Sequence, residues 1–216
     1  MTLGERRASV LPTIEGLPQA SSLSQSSRSN TLIERMLRME TCFDADTGFV
    51  QVYTGDGKGK TTAALGLALR AAGAGWNVFI AQFAKGMRYS ELAVLERLSD
   101  HITTRQFGHT CFINQTPGQA DLRLAEEGLA ECKEVLLAGN HRLVVLDEAS
   151  VAVALGLFPV EALLELICLR SDPTELVITG RWAHPLLVEA ADLVTEMREV
   201  KHYYRQGVLA RTGIEK

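Results

Sequence analysis

The chain has 216 residues, 46% of them hydrophobic, and a formal net charge of −4 at neutral pH. That length suits one sizeable α/β domain with a full core and falls short of two. The acidic balance excludes a broad nucleic-acid surface, which would show as a basic excess, but leaves room for a small basic patch.

The first segment, residues 1–30, reads as a disordered tail. From Pro12 to Asn30 it is crowded with Ser, Pro, Gly and Gln and has no periodic apolar residues with which to order itself. Glu5 and Glu15 argue against an organellar transit peptide, and no apolar run marks a secretory signal. Residues 31–48 form a second segment, an N-terminal helix and linker. Leu32, Met36, Leu37 and Met39 cluster on one side of a short helix over 31–41, suited to docking on the domain or on a partner subunit.

From residue 49 to 216 apolar runs of strand length alternate with helical stretches. Strands are predicted at 49–54, 77–83, 101–107, 142–147, 175–180 and 192–198. Helices are predicted at 60–73, 90–98, 118–139, 159–170 and 184–191. This alternation predicts a doubly wound α/β domain, a mostly parallel sheet with helices on both faces. The helix over 60–73 is apolar nearly all round, which predicts that it is buried beside the sheet. In such sheets ligands bind beyond the carboxyl ends of the strands. No apolar run is long enough to span a membrane. Cys42, Cys111, Cys132 and Cys168 form no C-x-x-C pair, so a reduced, cytoplasmic setting is expected rather than a disulfide or zinc framework.

After the first strand comes Thr54-Gly55-Asp56-Gly57-Lys58-Gly59-Lys60-Thr61-Thr62, which opens the first helix. Glycines let the backbone bring its N–H groups close to phosphate oxygens, and the helix start aims a positive dipole end at the anion. Lys60 adds a full charge, and the Thr61 hydroxyl suits Mg²⁺. The sequence departs from G-x-x-x-x-G-K-[ST] at the first position, where Thr54 stands for Gly. The G-x-G-x-G run with a G-K-T ending suits a triphosphate better than a dinucleotide.

The fourth strand ends in Asp147 and Glu148, the place where P-loop proteins set a carboxylate to hold Mg²⁺ or orient a nucleophile. From spacing alone Arg70 reads as an exposed cation near the end of its helix. Arg181, after the fifth strand, is either a surface residue or a bidentate phosphate ligand. His184 reads as structural. Lys85, Arg88 and Glu91 leave the second strand at the same sheet edge. The apolar segment Phe107–Ile113 suits a lid or a surface for a flat ligand, or else a buried loop. The tail with Lys201, His202, Tyr203 and Tyr204 reads as a solvated, mildly basic terminus.

Taken together, VYTGDGKGKTTAALGLALRAAG, QFAKG, VVLDE, ITGR and DLVTEMREVKH…GVLARTGIE resemble the P-loop type of ATP:corrinoid adenosyltransferase, over about residues 49–215. The family's own loop has the form TGxGKGKTTA, which accounts for Thr54. The resemblance implies a P-loop NTPase-like fold, usually a homodimer, binding MgATP and a reduced corrinoid. In that family cobalt(I) attacks C5′ of the ATP ribose and triphosphate leaves, in adenosylcobalamin biosynthesis or salvage. A flavin-type reductant protein is an implied further partner, and neither nucleic acid nor membrane is.

Carried over by position, Thr54 to Thr62 would hold the phosphates, and Lys60 would neutralise charge on the leaving triphosphate. Thr61 and Glu148 would bind Mg²⁺ with Asp147 adjacent, Arg70 would approach the sugar, and Arg181 the phosphates. Some members carry G-F-T-W after the third strand; this chain has Gly108-His109-Thr110-Cys111 and then Phe112, which we take as the apolar wall facing the corrin. Two rival functions fit the same residues. One is a P-loop ATPase in which Glu148 activates water, and the other is an ATP sensor without chemistry.

Overall fold

The computed structural model describes residues 47–109 and 117–216. The expected tail over 1–30, the helix over 31–41 and Phe112 lie outside the described residues.

Six strands form one sheet: β1 (Val50–Thr54), β2 (Val78–Phe83), β3 (Ile102–Phe107), β4 (Leu143–Asp147), β5 (Glu175–Thr179) and β6 (Leu193–Glu196). Their order is β3-β2-β4-β5-β1-β6, and all the pairings are parallel. The helices are α1 (Lys60–Gly73), α2 (Leu92–Leu95), α3 (Gln119–Ala138), α4 (Ala149–Ala154), α5 (Val160–Leu169) and α6 (Pro185–Ala190). Helix α2 runs on into a 3₁₀ turn over Glu96–Leu98, and a second such turn spans Tyr203–Gln206. Helix α4 was not legible in the sequence. Six residues are too few to display a helical period.

The central strands are apolar on both faces because both faces are covered. Alternate residues of β4 enter different cores. Val144 and Leu146 join Phe79, Phe83, Phe107, Phe158 and Leu163 beneath α3, α4, α5 and α6. Leu143 and Val145 join Val78, Ile80 and Val177 beneath α1 and α2. Phe83 stands at the centre of the first core, its ring 5.7 Å from Phe107 and 5.4 Å from Phe158.

Helix α1 corrects one expectation. Its apolar composition does not mean burial all round: Ala64, Ala68 and Ala71 face the sheet, while Leu69 is 59% exposed on the outer side. The small buried residues let the helix lie close to the sheet, so its first turn is held firmly at the end of β1. No helix among the described residues is long and apolar enough to cross a membrane.

Candidate active site

Three neighbouring strands each deliver a polar side chain at or near their carboxyl ends: Gln82 from β2, Asp147 from β4 and Thr179 from β5. All three are buried. Strand β1 delivers the phosphate loop beside them. This is the sheet edge where an α/β fold binds ligands.

Asp147 is the hub. Its Oδ1 accepts from the Thr61 hydroxyl at 2.9 Å and the Thr179 hydroxyl at 2.7 Å. Its Oδ2 accepts from Gln82 Nε2 at 3.2 Å and from Lys85 Nζ at 2.7 Å. Gln106 Nε2 in turn donates to Gln82 Oε1 at 3.1 Å. A carboxylate only 1% exposed is tolerated because donors surround it, one of them a cation.

Lys60 is 6% exposed, and its ammonium donates to Gly55 O at 2.6 Å and Gly57 O at 2.8 Å. Burial is the main reason its pKa is lowered; Glu148 works against that shift and Arg181 with it. Those contributions place Arg181, itself solvent-exposed, within electrostatic reach of Lys60 and Glu148.

Glu148 follows Asp147 in a left-handed backbone conformation, φ 58°, which costs a non-glycine residue about 1 kcal/mol or more. Its N–H donates to the Thr179 hydroxyl at 3.0 Å, which holds the turn. Burial raises the Glu148 carboxyl above the ordinary value of 4.5, partly offset by the positive charge of Lys85. A carboxyl that keeps its proton longer in the fold than in the open chain contributes stability below the unfolded value. That contribution is lost as pH rises through the folded value. Glu148→Gln is therefore expected to raise the melting temperature of metal-free protein near neutral pH, with the gain vanishing below about pH 4. A gain equal at both pH values in calorimetry would refute this assignment.

The loop glycines are set by a close neighbour. Gly55 has φ 93°, and a Cβ there would lie 2.4 Å from Met197 O. Gly57 N–H donates to the same carbonyl at 2.7 Å, so the segment after β6 forms a floor beneath the loop. Thr54 has a task of its own: its hydroxyl accepts from Ala183 N at 3.2 Å, tying the phosphate loop to the turn that carries Arg181.

The structure does not gather every expected residue. Lys58 points away from Lys60, and its ammonium donates to Glu215 Oε1 at 2.8 Å, Ile214 O at 3.1 Å and the Tyr203 hydroxyl at 3.2 Å. Arg211 and the Tyr203 hydroxyl also donate to Glu215, and together they hold its carboxyl well below the usual range. The tail is thus a hook on the phosphate loop rather than a merely solvated terminus. Asp56 and Thr62 are exposed. Arg70 lies exposed in the last turn of α1, ten residues from Lys60, or about 15 Å along the helix axis. It acts electrostatically on Tyr53, in β1.

Of the three residues leaving β2, Lys85 enters the site, while Arg88 pairs with Glu96 at 3.3 Å on the surface. Glu91 stands at the start of α2. His184 is structural, as expected, and its Nδ1 accepts from Leu186 N at 3.2 Å to cap α6. His109 lies 3.8 Å from Asp121. Sequence reasoning missed Gln82, Gln106 and Thr179. For Gln82 and Thr179 the available signal was a polar residue near the end of an otherwise apolar strand; β3, with Thr103, Thr104 and Arg105, gave none for Gln106. Sequence reasoning also missed Trp182, 60% exposed beside Arg181 with φ 58°.

The family model for ATP:corrinoid adenosyltransferase BtuR/CobO/CobP matches residues 46–215. A corrinoid adenosyltransferase of Pseudomonas aeruginosa is 34% identical over 190 residues, covering 84% of this chain and 94% of that protein. One from Escherichia coli is 37% identical over 172 residues, covering 79% and 86%. The Salmonella typhimurium corrinoid adenosyltransferase CobA is 37% identical over 178 residues with the same coverage.

Proposed function

This chain belongs to the ATP:corrinoid adenosyltransferase family, and from that premise we propose how its own residues perform the reaction. The enzyme adenosylates a corrinoid with ATP, in cobalamin biosynthesis. The observation that carries the site assignment is the convergence of Lys60, Thr61, Asp147 and Glu148 at the ends of β1 and β4, with Thr61 and Asp147 2.9 Å apart.

In the proposed step the lone pair of substrate cobalt(I) forms a bond to C5′ of ATP. The C5′–O bond breaks, and its electron pair leaves on triphosphate. The protein needs no nucleophile. Its work is to hold the two substrates in line and to stabilise charge that grows on the leaving oxygen. The loop from Thr54 to Thr62 cradles the phosphates. Lys60 exchanges its two carbonyl partners for phosphate oxygens, and Arg181 closes on the same anion. Arg70, in the last turn of α1, is assigned to the ATP sugar by the family resemblance alone.

The donor set fits magnesium. Thr61 and Asp147 offer hard oxygens side by side, and no cluster of three or more His, Cys, Asp or Glu forms a cage among the described residues. Mg²⁺ commonly takes one or two protein oxygens and completes its shell with phosphate and water. Thr61 and Asp147 would hold it with Glu148 beside them, and it would supply positive charge to the phosphate oxygens. The same proposal takes cob(I)alamin or cob(I)yrinic acid a,c-diamide as the corrinoid, a cytoplasmic homodimer as the working form and a flavin-type protein as the reductant.

The test is an anaerobic reaction of purified protein, MgATP and chemically reduced cob(I)alamin. A light-sensitive alkyl-cobalt spectrum with one triphosphate per turnover is expected. ADP and phosphate with an unchanged corrinoid spectrum would instead show an ATPase using Glu148 to activate water.

A further inference from the structure

Lys85 is placed at some conformational cost. It leaves β2 through Ala84, whose φ of 51° is unfavourable for a residue with a side chain. The next residue, Gly86, lies so close to the tip of β3 that a Cβ there would sit 2.1 Å from Gly108 O. A Cβ on Gly108 would likewise sit 2.5 Å from Lys85 N. Two backbones meet where neither tolerates a side chain, and the result is that Lys85 turns inward. Its side chain is 13% exposed. Its ammonium lies 2.7 Å from Asp147 Oδ2 and 3.2 Å from Thr61 Oγ1, the residue that follows the phosphate-loop lysine. The Tyr89 ring, 5.4 Å away, walls it from another side.

A counter-ion for Asp147 needs only the carboxylate contact. Lys85 reaches further, to the first turn of α1, where the phosphate loop delivers its anion. An ammonium has three N–H donors; two are directed to Asp147 and Thr61, and a metal ion taking those two side chains would release them to phosphate oxygens.

We propose that Lys85 is a second phosphate-holding cation, which binds the triphosphate of ATP from the β2 side while Lys60 binds it from the loop. This rests on the phosphate-loop site described above and adds a residue to it. Lys85 then faces the leaving group as the C5′–O bond breaks, where a fixed positive charge is worth most.

Binding of inorganic tripolyphosphate in excess chelator tests this without corrinoid, metal or turnover. Lys85→Met is expected to weaken binding by about 10- to 100-fold, the usual worth of a hydrogen bond to a charged group. Lys85→Arg, which keeps the charge, should recover part of the loss. Because Lys85→Met leaves Asp147 buried and unpaired, the same substitution is also read in an Asp147→Asn background. A counter-ion would have no further effect there, whereas a phosphate ligand gives the same ~10- to 100-fold loss. Equal affinities for Asp147→Asn and the double variant would overturn the proposal. Lys60→Ala is the control for the site itself. If it binds tripolyphosphate as tightly as the unaltered protein, the phosphate-loop assignment fails; if only the Lys85 substitutions are silent, Lys85 alone is excluded.

Discussion

Lys60→Ala is expected to slow adenosyl transfer by about 10²- to 10³-fold at saturating substrates, the cost of deleting one preorganised charge-stabilising donor. Lys60 is 6% exposed and hydrogen-bonded to Gly55 and Gly57 carbonyls, so its ammonium is already at the phosphate loop before substrate arrives. Little reorganisation is needed at the moment of reaction, which is why its removal should be felt in the chemical step as well as in binding. Single-turnover absorbance of the corrinoid, with ATP preloaded, separates the two. Loss of the melting-temperature increase caused by ATP is the companion result. An unchanged single-turnover rate would mean that triphosphate departure does not depend on this charge.

Asp147→Ala is expected to be the most destabilising change in the site, by about 3–5 kcal/mol, the range for removing one partner of a buried ion pair. Asp147 accepts hydrogen bonds from Thr61, Thr179, Gln82 and Lys85, and the Lys85 side chain is only 13% exposed. Without the carboxylate, that ammonium lies in a poorly hydrated place with no counter-charge. Lys85→Met combined with Asp147→Ala should recover much of the lost stability, since the stranded charge goes too. Denaturant unfolding of the two variants checks this, and an equal loss in both would show that the neutral donors carry the penalty.

Much of this arrangement was legible in the sequence for identifiable reasons. Each strand formed within two residues of its predicted bounds; for β2, β4 and β5 the reason is that strands covered on both faces demand nearly continuous apolar runs. Lys60, Thr61, Asp147 and Glu148 were legible because each sits at a strand end or helix start that local pattern can locate. Gln82, Gln106 and Thr179 were not, because their role exists only once β2, β3, β4 and β5 lie side by side. Lys85 was seen as a candidate, but its inward turn depends on a contact between Gly86 and Gly108 that no local spacing encodes. The hook on Lys58 joins residues 58 and 215, a separation at which pattern carries no information. Helix α1 was misjudged because composition reports how apolar a helix is, not how many sides are covered.

The strand that carries the phosphate loop has an unusual place in the order of synthesis. Of the six strands among the described residues, β1 is the first to be translated, yet its two neighbours in the sheet, β5 and β6, are the last two. Val50 must wait for Leu176, and Gly57 for Met197, before either finds its partner. A nascent chain can therefore assemble β2, β3 and β4 into a nucleus while β1 hangs unpaired, an apolar edge exposed to other chains. ATP has no finished loop to bind until that late docking step, and once bound it favours the docked state by mass action. Nucleotide supplied during refolding should thus raise the yield of native protein, acting as a ligand chaperone for the strand that was made first and placed last.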